Sequence, residues 1–388
     1  MKAQECSVLH GVIGAFGEEG TMDFGLCLLN QPGCWDDAAF AEQHGFRTAG
    51  FVDSPVISGD PFVAMALTAK ATSTMKLGTL LNIPSMRSAT STASALTSLN
   101  RIAAGRIFFG TGTGYTGRQT LGLPPMAAPR VCRYMHEIKE LMAGREVMHN
   151  HDGRETAIRM ADPDQIRNNL DNPVPAYMAA DGPKALQAAG SHADGWIATL
   201  QPCSVMNEAP EVFERSLAAV RAAAAEHGRN LDDSYTIWTT AVCILRPGES
   251  AISPRALQHT GPIAMFAFHS YACNPEIAQF FPPHVRDRLD IYEKQVLSRL
   301  DVPRERLYQA VHAGHLSYLL DGEAGVLTEQ IVRDISLTGT ADEIADRLGR
   351  MEAAGLKNLS LCIPPSVFRE SILAVEEQLM PLMAPAPA

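Results

Sequence analysis

The chain has 388 residues, enough for one large α/β domain or two medium ones with a sizeable core. Its 46% hydrophobic and 19% charged residues are those of a globular protein. The net charge of −11, with no run of Lys or Arg to neutralise phosphates, argues against a nucleic-acid partner.

Residues 1–21 carry one lysine and a short apolar run broken by glycines, with no apolar region leading to a small-residue cleavage site; they read as a flexible extension. Residues 22–382 read as a single domain and 383–388 as a disordered tail. No stretch approaches the ~20 uncharged apolar residues of a membrane span, so no membrane partner is expected. Cys6, Cys27, Cys34, Cys132, Cys203, Cys243, Cys273 and Cys362 form no C-x-x-C pair, and the histidines lack the spacing of a zinc site. No metal is therefore expected, and scattered thiols suit a reducing, cytoplasmic setting.

In chain order, short apolar runs at 24–29, 49–52, 76–81, 107–110, 176–180, 195–198, 235–243 and 359–362 predict eight strands. Helices are predicted between most of them, at 35–44, 61–72, 91–103, 128–141, 183–189, 211–226 and 340–354. In the last, Thr340 lies three residues before Glu343, a capping-box spacing, and Gly355 follows the end. Such alternation indicates a parallel sheet, and eight units favour a (β/α)8 TIM barrel over a doubly wound open sheet. Two segments break the rhythm. Residues 144–175 read as a hairpin plus a loop after strand 4. Residues 248–335 read as a long helical insertion before strand 8, with helical runs at 275–281, 283–300 and 327–335.

Gly112-Thr113-Gly114-Tyr115-Thr116-Gly117 matches G-x-G-x-x-G after a strand-like run. A dinucleotide loop would open a long helix after its third glycine, and Gly122, Pro124 and Pro125 forbid that here. The acidic residue at the required distance, Glu137, falls inside a predicted helix instead of at a strand end. What remains is a glycine-rich loop at the C-terminal end of a barrel strand, where such enzymes build their sites. Its glycines would permit close approach to something flat or phosphorylated. A second loop, Ala180-Asp181-Gly182-Pro183, places a glycine before a proline at a helix's first turn. It reads either as an anion site on a helix N-terminus, with Lys184 adding charge, or as an ordinary turn capped by Asp181.

Five segments then occur in order: MDFGL, DPFVAMALTAKATSTMKLGTLL, LTSLNRIAAGRIFFGTGTG, PVPAYMAADGPKALQAAGSHADGWIA and LTGTADEIADRLGRMEAAGL. They resemble the bacterial luciferase-like superfamily of flavin-dependent oxidoreductases, especially its methylenetetrahydromethanopterin-reductase-like branch, over about residues 22–200 and 335–375. The resemblance implies a TIM barrel that binds FMN or coenzyme F420 at the strand C-termini and assembles as a homodimer or homotetramer. It places the ring against Leu80, Leu81 and Asn82, where several members carry a non-prolyl cis peptide. Thr111, Gly112, Thr113, Gly114 and Tyr115 would line the ring and side chain, and Ala180, Asp181, Gly182 and Pro183 would hold the phosphate. Asp53 and Tyr115 become the candidate catalytic residues. The family's glucose-6-phosphate dehydrogenases have Asp-His where this chain has Asp53-Ser54, and Glu where Tyr115 stands. The luciferase histidine base has no counterpart, which leaves His269, His312 and His315 of the insertion as remote candidates.

The function expected first is a monooxygenase using reduced FMN and O2 on a small organic substrate, supplied by a separate NAD(P)H flavin reductase. The alternative is F420-dependent hydride transfer, for which Arg87, Arg118, Arg130 and Lys184 could meet the coenzyme's anionic tail. A catalytically silent flavin-binding barrel is the third reading.

Overall fold

The computed structural model describes residues 22–161, 169–199 and 209–384. The expected extension 1–21 lies outside the described residues. The expected tail, 383–388, begins in the last helical turn, Met380–Met383, and is outside them from residue 385.

Eight parallel strands close into a barrel: β1 (Asp23–Leu28), β2 (Thr48–Phe51), β3 (Lys76–Asn82), β4 (Ile107–Thr111), β5 (Ala176–Ala179), β6 (Gly195–Thr199), β7 (Tyr235–Thr240) and β8 (Asn358–Leu361). Closure comes from β1, which pairs with β2 on one side (Gly25 opposite Thr48) and with β8 on the other (Asp23 opposite Asn358). The strands are buried along their length because helices cover the outside and side chains fill the inside. Phe108 and Phe109 on β4 are 2% and 0% exposed, each contributing roughly 1.5–3 kcal/mol of apolar burial.

Helix boundaries follow the local chemistry. Asp60 Oδ1 accepts from the N–H groups of Phe62 and Val63, starting helix Pro61–Ala71 with proline in its first turn. The capping box forms in full: Thr340 Oγ1 accepts from Glu343 N, and Thr340 N donates to Glu343 Oε2. At the N-terminal mouth, the Tyr235 hydroxyl donates to buried Asp23 at 2.6 Å, a structural contact that leaves the opposite mouth for function.

Two expectations change in detail. The seventh strand, predicted to run through 243, leaves the barrel after Thr240. Cys362 N takes the Thr240 carbonyl, and Val242–Ile244 turns away to pair in parallel with Leu337–Gly339, a strand the apolar pattern did not reveal. Between β4 and β5, the irregular segment contains the antiparallel hairpin Val147–His151/Arg154–Ile158. The insertion is helical, but two helices absent from the predicted runs, Pro254–Ala264 and Phe266–Cys273, bring Ile263 and Phe266 to the barrel mouth. Gly261 and Pro262 disguise them in sequence. The first helix tolerates that pair near its C-terminal end, and Ser253 Oγ caps its start by accepting from Ala256 N.

Candidate active site

The C-terminal strand ends surround an open cleft of about 1020 Å³, counting its solvent-filled mouth. Barrel residues form its floor and walls: Cys27 below, Asp53 and Ser54 after β2, Leu80 and Leu81 on β3, and Thr113 to Gly117 after β4. Ala179 and Asp181 stand at the end of β5. The insertion contributes the remaining side with Ile263, Phe266, His315 and Leu316. A mostly apolar cleft with a few converging polar groups is the usual form of a small-molecule site.

At the end of β3 the Leu80–Leu81 peptide is cis, and the ladder to β4 shifts register between Thr79 and Asn82. Leu80 and Leu81 line the cleft, while Asn82 turns inward and is fully buried. Asn82 Nδ2 donates to Asp53 Oδ2 at 2.8 Å, and Ile83 N donates to the same oxygen at 3.3 Å. Asp53 is 3% exposed, and its burial holds its pKa above the ordinary carboxylate value, opposed by the Ile83 N–H and by the Arg87 charge. Its Oδ1 takes neither of those hydrogen bonds. A carboxyl poised this way in a cleft is suited to acid–base work.

The glycines of the loop after β4 make room for neighbouring protein. A Cβ on Gly112 would come 2.8 Å from Leu81 Cδ1, and one on Gly117 would come 2.3 Å from Ile83 Cδ1. Gly114 has φ of +76°, and a Cβ there would meet Ile83 Cγ2 at 2.4 Å. The space the glycines leave is filled by the end of β3, so they let the loop after β4 pack down on it. Gly114 caps a short helix, Tyr115–Gln119, ending before Gly122 as the sequence demanded. Glu137 lies in helix Ala128–Met142, paired with His149. Of the loop's candidate residues, Thr113, Gly114 and Tyr115 line the cleft. Thr111 is buried behind them, its hydroxyl donating to the Asn82 carbonyl. The Tyr115 ring lies on Phe266, centroids 5.7 Å apart, and so links barrel to insertion.

After β5 the geometry is the reverse. Helix Pro183–His192 starts at Gly182, with no side-chain cap, so Asp181 is not the cap of an ordinary turn. A Cβ on Gly182 would meet no atom within 4 Å. Pro183 has no N–H, and those of Ala185 and Leu186 donate to the Gly182 carbonyl at 2.9 Å. This leaves the N–H groups of Gly182 and Lys184 outside those bonds at the positive end of the helix dipole, beside cleft-lining Asp181. Pro183 is exposed at the first turn, whereas Ala180 is buried, its carbonyl accepting from Trp196 Nε1 at 2.7 Å. Of the residues proposed for an anionic tail, Arg87 is bound to Asp60 and Arg118 to the Pro124 carbonyl, while Arg130 and Lys184 are exposed.

The three histidines treated as remote are neighbours. His269, His312 and His315 each bring a ring nitrogen within 4.8 Å of the others. His315 lines the cleft; His312 and His269 lie progressively behind it. Burial lowers the pKa of His315 to about 3 and that of His312 to about 2, so both are neutral at physiological pH. His269 lies far from the other two in sequence, which is why motif spacing missed the group; the near signal was H-x-x-H in "HAGHLSYLL".

The sequence profile of the luciferase-like monooxygenase family matches residues 35–358. Among curated relatives, the 5,10-methylenetetrahydromethanopterin reductase of Methanolobus tindarius is 29% identical over 202 residues, covering 50% of this chain and 56% of that protein. The reductase of the same name from Methanopyrus kandleri is 25% identical over 354 residues, 87% of this chain and 90% of that one. An F420-dependent hydroxymycolic acid dehydrogenase of Mycobacterium tuberculosis is 29% identical over 233 residues, 56% and 60% of the two chains. Among solved structures, the F420-dependent tetrahydromethanopterin reductase of Methanopyrus kandleri superposes with a TM-score of 0.65 at 21% identity, over 94% of this chain and all of that one. The oxygenating constituent of 3,6-diketocamphane monooxygenase from Pseudomonas putida, in complex with FMN, gives 0.59 at 15% identity, over 93% and 98%. These superpositions establish the shared barrel. With most of its length inside the family profile, the chain belongs to the luciferase-like monooxygenase family and is an oxidoreductase.

Proposed function

We propose that the protein is an F420-dependent oxidoreductase that exchanges a hydride with a small organic substrate. The observation that carries the reading is the cleft: an apolar wall at Leu80–Leu81, with Asp181 lining it next to exposed Gly182 and the uncapped N-terminus of helix Pro183–His192. These fit a flat ring carrying a phosphate at one end. Support for F420 comes from the curated relatives, whose names specify F420 or a methanopterin reductase. This moves the alternative ahead of the monooxygenase expected first.

Bound F420 would supply the hydride chemistry; the chain's own residues would position and protonate. Leu80, Leu81, Thr113, Gly114 and Tyr115 would hold the ring, with Asn82, Thr111 and Gly112 supporting that wall from behind. Gly182 and Pro183, flanked by Ala180 and Asp181, would take the phosphate. Asp53, whose raised pKa favours a retained proton, would carry it at Oδ1, and Tyr115 would cover the reacting face with Phe266.

A second reading, reduced FMN with O2 and a separate NAD(P)H flavin reductase, is favoured by one observation: among the described residues no Lys or Arg lines the cleft, although the F420 tail is anionic. We also propose a reducing cytoplasmic setting, supported by six free thiols among the described residues. A homodimer or homotetramer is supported by Val63 and Leu67, exposed one turn apart on helix Pro61–Ala71. Fluorescence titration of the purified chain with F420 and with oxidised FMN at matched concentrations tests the reading. Binding of F420 alone supports it; binding of FMN alone, with O2 uptake after reduction, transfers the enzyme to the monooxygenases.

A further inference from the structure

The histidine cluster has a feature that a packed core does not require. His269 and His312 are each 2% exposed, and the Nδ1 atoms of His269, His312 and His315 are all buried without a hydrogen-bond partner. A buried polar atom left unpaired costs roughly 1–3 kcal/mol, so three at one place call for an occupant. The other nitrogen of His269 is fixed: Nε2 lies 2.7 Å from Glu323 Oε1. Glu323 is 1% exposed, and its second oxygen accepts from Leu320 N at 2.7 Å. A carboxylate taking the Nε2–H leaves Nδ1 as a bare lone pair, the arrangement that stands behind histidines bound to metals.

The spatial relation of the rings agrees. The His269 and His312 centroids are 5.5 Å apart, with the planes at 79°. The His312 and His315 centroids are 5.6 Å apart, at 82°. Imidazoles bound tetrahedrally at about 2.0–2.1 Å from one ion set their centroids about 5 Å apart. Ring nitrogens already within 4.8 Å of one another would need to close by up to about 1.5 Å to reach that geometry.

We propose that His269, His312 and His315 bind one divalent transition-metal ion of the zinc class, with Glu323 orienting His269 from behind. Three nitrogen ligands suit zinc, cobalt or iron and leave a fourth position for water or another small ligand. Because His315 lines the cleft, the ion would sit between the insertion's core and the substrate space. The proposal is independent of which flavin-type cofactor the barrel takes.

The test uses the full chain, stripped with EDTA and dialysed, then loaded with Zn2+ or Co2+ and freed of excess metal. The wild type should retain one equivalent of zinc per chain, and the cobalt form should show the visible absorption of a tetrahedral nitrogen-rich site. His269→Ala and His312→Ala should each abolish retention. Glu323→Gln should weaken zinc binding about 10–100-fold. His192→Ala, on the surface of helix Pro183–His192, should bind as the wild type does. If the buried histidine variants fail to fold, His315→Ala at the cleft edge and the wild-type cobalt spectrum carry the test. Less than a tenth of an equivalent retained by the wild type, no visible cobalt band, or equal retention in His315→Ala would overturn the site.

Discussion

The loop after β4 and the turn after β5 look alike as glycine-bearing βα connections, yet their glycines have opposite surroundings. Around Gly110 to Gly117, added Cβ atoms would collide with the end of β3 or with the loop itself. At Gly182 the same atom would meet nothing within 4 Å. The first set of glycines lets protein approach protein; Gly182 is exposed and borders open space. A G-x-G-x-x-G string therefore says that space is scarce and does not say what fills it.

The largest effect is expected where the packing is tightest. A Cβ on Gly110 would come 2.2 Å from the Thr79 carbonyl oxygen, which as backbone cannot move aside cheaply. Gly110→Val should destabilise the fold by about 3 kcal/mol, at the upper end for overpacking, measurable as a lower urea midpoint. An unchanged midpoint would break the contrast at its protein-filled side. Next comes Asp53, which the loop overlies through Gly117. Asp53→Asn should lower turnover by about a hundredfold or more while F420 affinity holds, if the carboxyl carries the proton. Gly182→Val should then lower F420 affinity by roughly tenfold, with stability changed by no more than about 1 kcal/mol for an unfavourable cap residue. A large loss of stability with affinity intact would erase the difference between the two turns.

A smaller effect concerns pH. Asp53 has a folded pKa above its unfolded value, so the native state binds the extra proton. Its unfavourable contribution is absent below the unfolded pKa near 4 and grows as pH rises through the folded value. Urea midpoints of the wild type should accordingly fall relative to those of Asp53→Asn as pH is raised from 4 to 7; a constant gap would contradict the assigned shift. The smallest change is expected for Tyr115→Phe, which keeps the ring on Phe266. Cofactor affinity should move by less than about threefold, and a hundredfold fall in turnover would instead make Tyr115 the proton donor.

Much of the barrel was legible because each strand is a short apolar run closed by turn residues, and the boundaries of 107–110 and 176–180 fall within one residue of β4 and β5. The overrun at 235–243 has a plain cause: Val242, Cys243 and Ile244 are as apolar as the barrel strand they follow, and only pairing with Leu337–Gly339 separates them. The barrel wall of the cleft was legible through Leu80, Leu81, Thr113 and Tyr115. Its other wall was not, since Gly261 and Pro262 disguise the helices that carry Ile263 and Phe266 and His269 meets His312 and His315 only through the fold. Sequence patterns report local periodicity well. They report encounters between distant segments only where a resemblance supplies them.

The most direct measurement is equilibrium binding of F420, with FMN in parallel, to the wild type and to Gly182→Val. The account predicts that the wild type binds F420 and that the variant binds it about tenfold more weakly with its thermal midpoint nearly unchanged. Failure of the wild type to bind either cofactor, or identical affinity in both proteins, would contradict the assignment of the cleft and of its phosphate end.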